Sequence, residues 1–142
     1  MTIRCEIVSQ DRIVYQNDVD MVVLPGEAGQ MGILPHHSPL LTLLNYGIIS
    51  VKVKGNEEHF TVAGGIAEVQ PDQVTILADA AENVKELDEE RAIKAQQRAE
   101  ARLKETISED TDRYLKTMAA LKKSNLRLQA IKKYRNDFKS KI

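Results

Sequence analysis

Several residue types that would announce a particular chemistry are scarce or missing in this 142-residue chain. Its single cysteine, Cys5, can form neither an internal disulfide nor a cysteine-rich metal site, and its isolation fits a reducing compartment. Tryptophan is absent and aromatics make up 4% of the residues, too few to suggest a surface that stacks nucleic-acid bases. There is no Walker-type glycine-rich loop, no evident Ser/His/Asp or Cys/His set, and no carboxylate pair across a cleft, so catalysis is not expected. The chain does not open with a basic stretch followed by an apolar run, so no secretory signal is expected. Ala28 to Val51 contains no Asp, Glu, Lys or Arg and is long enough to span a bilayer. Gly29, Gly32, Pro35, His36, His37, Pro39, Asn45 and Gly47 break that stretch too often for a helix facing lipid.

Breakers also stop early. The last glycine is Gly65 and the last proline is Pro71, and nothing punctuates the chain beyond them. The change of character falls at Leu87-Asp88-Glu89-Glu90-Arg91-Ala92. Asp88 suits an N-cap, and Glu89 and Glu90 place negative charge in a first helical turn, where the helix dipole favours it.

Upstream, apolar residues alternate with polar ones at Ile3–Cys5–Ile7, at Val19–Met21–Val23 and at Ile49–Val51–Val53. Asn17-Asp18 and Pro25-Gly26 read as punctuation, Gly55-Asn56 as a hairpin turn, and Gln70-Pro71-Asp72-Gln73 as a turn between two further strands. The expected fold class is α+β. An antiparallel β-sandwich or barrel is expected over residues 1–86 and an antiparallel two-helix hairpin over 87–142. Between strands, Gly26 to Leu44 reads as a long loop, uncharged after Glu27 and ending in the apolar run Leu40–Leu44, more a contact surface than a linker. His36 and His37 are adjacent with no third ligand near in sequence, so no metal site is expected.

Downstream, Ala92, Ala95, Ala99, Leu103 and Ile107 recur at helical spacing, and Ser108 to Asp112 supplies a turn and new caps. A second helix carries Tyr114, Met118, Leu121, Leu128, Ile131 and Phe138 in one stripe, with Asn125 in the same line. A neighbouring stripe of Leu115, Ala119, Leu126 and Ala130 is left over once the first is used. An alanine seam buries little apolar area, so the hairpin reads either as permanently docked or as an arm able to lie on a partner. Charge is asymmetric. Residues 1–86 hold 5 Lys/Arg against 12 Asp/Glu, a net of −7, and residues 113–142 hold 10 against 1, a net of +9. Such a basic helix either solvates itself or faces an acidic protein surface, nucleic acid or anionic membrane.

Gly29-Gln30-Met31-Gly32-Ile33-Leu34-Pro35-His36-His37-Ser38-Pro39-Leu40, then Ala63 to Val69 and Val74 to Ala78, resemble the epsilon subunit of F-type ATP synthase. The likeness runs in order through essentially the whole chain, the Leu87–Ala92 junction included. The resemblance implies a non-catalytic rotor subunit of the central stalk, with gamma, the c-ring and the alpha/beta catalytic subunits as partners. It implies no nucleic acid and contact with the membrane only through the complex, on the cytoplasmic face of a bacterial plasma membrane or, alternatively, at a thylakoid. The loop with Gln30, Met31, His36 and His37 would face the c-ring. Gln30 stands where the family is often acidic, and His36 replaces the usual glycine before His37.

The family's hairpin can extend toward the catalytic subunits as a brake on hydrolysis. Lys122, Lys123, Arg127, Lys132 and Lys133 would then form the inhibitory contact pool. No cofactor is implied as required. Some bacterial members bind ATP as a regulatory ligand, and their motif is matched at Leu87, Asp88, Arg91 and Ala92, with Glu82, Arg98 and Arg127 also matching. Lys123 stands where a family arginine would be, without its planar fork. Asp88 would serve either that motif or the helix cap alone.

Overall fold

The fold is described from a computed structural model in which residues 1–10, 12–105 and 111–139 are placed. Two compact units divide it, residues 1–84 and 85–142. The expected connector Ser108–Asp110, with Ile107, and the side chain of Phe138 lie outside the described residues.

The first unit is a β-sandwich of eight strands: β1 (Ile3–Ser9), β2 (Arg12–Val19), β3 (Met21–Gly26), β4 (Gly29–Ile33), β5 (Leu40–Val53), β6 (Asn56–Val69), β7 (Gln73–Ala78) and β8 (Ala81–Asn83). They hydrogen-bond in the order β2-β1-β7-β6-β5-β3-β4, with β8 beside β6. All these pairs are antiparallel except β1 with β7. The two 14-residue strands β5 and β6 pair along their whole length and bind the fold together. Their joining turn is Lys54–Gly55, both at positive φ (50° and 83°), the signature of the two-residue hairpin whose twist matches that of its strands. Asp20 secures it by accepting the Lys54 backbone N–H at 2.7 Å.

Along one edge of β6, Phe60–Val62 pair with β8 and Gly65–Val69 pair with β7. Gly64 and Gly65, at φ 90° and 138°, stand where the strand changes partners. The core is one apolar cluster, with Phe60, Ile3, Ile7, Leu24, Ile33, Ile49 and Ile76 fully buried. Tyr15 of β2 lies against Phe60 of β6, ring centroids 5.1 Å apart and planes tilted by 56°.

Three sequence expectations change here. Val19, Met21 and Val23 do not share a strand. Val19 ends β2, Asp20 turns the chain, and β3 buries Val22 and Leu24 instead. Asn17-Asp18 lies within β2, an edge strand whose mostly exposed face hides its periodicity. Gly26 to Leu44 is not one loop. β4 occupies Gly29–Ile33 and β5 starts at Leu40, because two glycines and no charge mask a short edge strand.

Cys5 is buried in this core. Its thiol is pushed up from 9.0 to about 12, first by burial and then by the Glu6 carboxylate. The folded chain keeps this proton where the unfolded chain loses it. Stability is therefore full below about pH 9 and falls as pH rises toward 12, by up to about 1.4 kcal/mol per pH unit for one proton. Tyr15, raised chiefly by burial, adds to the slope above its ordinary 10.0. Urea unfolding at several alkaline pH values should show this decline, and Cys5→Ala should flatten it between pH 9 and 10. An equal decline in the variant would assign it elsewhere.

The second unit is a helical hairpin, α1 (Glu89–Glu105) and α2 (Thr111–Lys139), entered by a 3-10 turn at Val84–Glu86. No helix of the chain, among the described residues, is long and apolar enough to cross a membrane.

Candidate functional site

Three surfaces carry the residues singled out by sequence. The first is the turn after β4. Gln30 and Met31 lie on β4 itself, opposite Pro25 and Leu24, so they are strand residues and not loop residues. Gln30 is exposed, and Met31 is half-buried against the core. Leu34-Pro35-His36-His37 forms a tight turn, closed by the His37 N–H on the Leu34 carbonyl at 3.2 Å. Pro35 sits at its second position and His36 at its third, with φ 67°. That is the pattern of a type II turn, where glycine is unstrained. His36 is therefore accommodated there at some backbone cost, offset by its N–H bond to the Pro71 carbonyl at 2.8 Å. His37 turns its Nδ1 onto the Ser38 carbonyl at 2.7 Å. The described residues contain no group of three or more His, Cys, Asp or Glu able to hold a metal.

The second surface was only partly anticipated. Leu43 of β5 is in register with Ile66 of β6, Ile66 with Leu77 of β7, Leu77 with Val8 of β1, and Val8 with Ile13 of β2. Residues in register share a face. This makes an apolar row across five strands, in which Leu43, Leu77 and Ile13 are each more than half exposed. Leu41, 69% exposed, extends the patch. The run Leu40–Leu44 announced one end of it. The rest needed the strand order, because each strand contributes a single residue.

The third surface is on the hairpin. Asp88 caps α1, accepting the Arg91 backbone N–H on Oδ1 at 3.1 Å and the Ala92 N–H on its carbonyl at 3.0 Å. Ala92 and Ala99 are buried on α1, and Thr117, Ser124, Ala130 and Ile131 on α2. The seam of α2 therefore runs through Thr117, Ser124 and Ile131, with Leu121 and Leu128 half-buried beside it. Tyr114 and Met118, expected in the seam, are 42% and 38% exposed. Small side chains facing alanines let the helices approach closely, and Thr117 and Ser124 hide their hydroxyls on the carbonyls of Arg113 and Ala120, at 2.8 and 3.0 Å. Polar ties cross the hairpin. Gln96 Nε2 donates to Asn125 Oδ1 at 2.6 Å, and Arg135 Nη1 to the Leu87 carbonyl at 2.5 Å.

These ties set an antiparallel register, and the buried seam fixes the roll of each helix. Arg91 and Arg98 lie seven apart on one flank of α1. Lys123 and Arg127, both half-buried, lie on the flank of α2 that faces the same side of the hairpin, with Lys123 level with Arg98. Four cations of the expected nucleotide set thus share one side. Ala92 belongs to the seam, and the Asp88 carboxylate is engaged by the cap. Glu82 is in the sandwich, on β8 opposite Thr61, whose Oγ1 donates to its carbonyl at 3.5 Å. Asp88→Ala should lower hairpin stability by about 1 kcal/mol, the usual worth of such a cap. Helicity followed through urea unfolding without nucleotide would measure it, and no loss would remove the capping role.

The basic pool of α2 does not lie on one face. At about 100° per residue, Lys122 and Lys133 point away from the seam, Lys123 and Arg127 occupy one flank, and Lys132 the other. Lys133 also holds its Nζ 5.3 Å from the Tyr134 ring centre.

Comparison with known proteins covers both units of the chain. Residues 2–84 match the family model described as the ATP synthase delta/epsilon chain β-sandwich domain, and residues 85–132 match the long α-helix domain of the same chain. The ATP synthase epsilon chain of Dehalococcoides mccartyi is 40% identical over 139 residues, covering 94% of both chains. That of Acidithiobacillus ferridurans is 42% identical over 135 residues, covering 95% of this chain and 94% of its own. That of Alkalihalophilus pseudofirmus is 48% identical over 111 residues, covering 78% of this chain and 84% of its own. Among solved structures, a chain of the Euglena gracilis mitochondrial ATP synthase assembly of OSCP, F1 and c-ring superposes with a TM-score of 0.77 at 26% identity, covering 92% of this chain and 81% of that one. A chain from the central stalk and c-ring of the Tetrahymena thermophila mitochondrial enzyme shares the fold, with a TM-score of 0.62 at 13% identity. With both domain models matched in order and such relatives spanning nearly its full length, the chain belongs to the ATP synthase epsilon-chain family.

Proposed function

We propose that this chain is a non-catalytic rotor component of the central stalk that couples the catalytic head to the c-ring and restrains ATP hydrolysis through its C-terminal helices. The observation that carries the reading is the apolar row from Leu43 to Ile13. A patch of that kind on a small sandwich calls for a protein partner, which in this family is gamma. The turn at Leu34–His37 and strand β4 would meet the c-ring through Gln30, Met31, His36 and His37. The +9 stretch of residues 113–142 would meet an acidic segment of the alpha/beta head. Membrane association would come only through the complex, on the cytoplasmic face of a bacterial plasma membrane.

A second ligand is supported by the hairpin itself. Arg91, Arg98, Lys123 and Arg127 on one side suit a triphosphate, so ATP is proposed as a regulatory ligand that favours the closed hairpin. Isothermal titration of the isolated chain tests it. Absence of heat at millimolar ATP would end this part of the reading.

The main test is turnover of the reconstituted catalytic complex with the full chain or with a version ending at Glu86. Truncation should raise ATP hydrolysis several-fold while gamma binding is kept. Equal turnover with gamma bound would leave the hairpin no braking role and reduce the chain to assembly and coupling.

A further inference from the structure

The seam between α1 and α2 is poor in features that tell one register from another. Ala92, Ala95 and Ala99 follow one another at helical spacing on α1, and Thr117 and Ser124 do the same on α2. Displacing one helix by a turn, about 5 Å, would bring one small side chain where another had been. Among the described residues of the two helices, Leu103, Leu121, Leu128 and Ile131 bring bulk to the seam, and all but Ile131 are half-exposed. Thr117 and Ser124 satisfy their hydroxyls within their own helix, so they are indifferent to the partner's position.

The Gln96–Asn125 and Arg135–Leu87 ties behave differently. Each joins a side chain to one specific atom of the other strand of the hairpin, Gln96 Nε2 to Asn125 Oδ1 and Arg135 Nη1 to the Leu87 carbonyl. They lie 9 residues apart on the α1 side, near the middle and at the N-terminal entry of the unit. A one-turn shift breaks both at once. A specific polar contact in a seam of small side chains is the best-attested way to specify register.

We propose that the Gln96–Asn125 hydrogen bond, assisted by the Arg135–Leu87 tie, sets the register of the hairpin, so that these residues determine which cations of α2 stand beside Arg91 and Arg98. The inference concerns the hairpin alone and stands whether or not the hairpin brakes hydrolysis. Its energetic share is small compared with its discriminating power. Losing it should change where α2 sits more than how firmly the unit is folded.

Spin labels at Glu100→Cys and Gln129→Cys, two exposed positions on different helices, report the axial offset in the full chain. Cys5 is buried and its thiol held neutral, so it should escape labelling. The parent should give one narrow distance distribution. Gln96→Ala with Asn125→Ala leaves no polar group unpaired and places good helix formers at both sites. That double variant should keep its far-ultraviolet dichroism yet show a distribution at least twice as wide or a second population displaced by roughly 5 Å. The length-swapped pair, Gln96→Asn with Asn125→Gln, can remake the bond and should restore the narrow distribution. A narrow, unshifted distribution in the alanine pair overturns the proposal. So does a swapped pair as broad as the alanine pair.

Discussion

Gly65→Ala should destabilise the sandwich by about 4 kcal/mol, near the upper end for a single substitution and close to the whole stability of a small domain. Two effects combine. Gly65 is at φ 138°, a backbone state that side-chain-bearing residues rarely adopt. An added Cβ would also fall 2.3 Å from the Leu77 carbonyl oxygen and 2.9 Å from the Ala78 Cα. Both are backbone atoms of the paired strand, so neither can swing aside, and relief requires parting β6 from β7. Gly55→Ala separates the two effects. Gly55 has φ 83° with nothing within 4 Å of the added Cβ, so that variant should lose only about 1 kcal/mol from backbone strain. Urea midpoints of the two variants measure the difference. Equal losses would mean that the close approach at Gly65 relaxes freely.

Reversing Lys122, Lys123, Arg127, Lys132 and Lys133 together to glutamate should raise hydrolysis by the reconstituted complex about tenfold, if exposed ion pairs with the head contribute their usual ~0.2–1 kcal/mol each and several act at once. The angular spread of these residues refines the expectation. Lys122, Lys133, Lys123 and Arg127 span about 140° of the helix surface, which one partner can cover, whereas Lys132 lies on the far flank. Lys132→Glu alone should therefore change little, and Lys122→Glu with Lys133→Glu should account for much of the effect. The relief should shrink as salt rises, since exposed charges are screened. Turnover that the five-site variant leaves unchanged, with gamma still bound, would remove the electrostatic brake.

These expectations draw unequally on sequence and structure. The β5–β6 hairpin was legible because Gly55 sits between two alternating runs, although the turn residues are Lys54 and Gly55 and the return strand already begins at Asn56. The start of α1 was legible because Asp88 and two glutamates suit a cap and a first turn, and the cap is made as expected. Other strands were hidden. β2 exposes most of its residues, and β4 is built of Gly29, Gln30, Met31, Gly32 and Ile33, with too short a run to show alternation. The α2 seam was misread by favouring large apolar residues. Facing alanines, the helix instead buries Thr117 and Ser124, whose hydroxyls are satisfied locally, and leaves Tyr114 and Met118 outside.

The sequence by itself determined what local chemistry controls. That covers where strands give way to helix, where glycine permits a turn, where charge changes sign, and the family likeness carried by short motifs. Tertiary structure decided what depends on residues distant in the chain. The parallel pairing of β1 with β7 joins segments more than sixty residues apart, as Arg4 with Gln73 and Ser9 with Ala78. It assembles the row from Leu43 to Ile13 out of single residues on five strands. The antiparallel register likewise gathers Arg91, Arg98, Lys123 and Arg127 on one side of the hairpin. The physical reason is common to both. Periodicity tells which face of an element is apolar or charged, but which other face it meets is set by pairing and packing between elements, and no local run of residues encodes that choice.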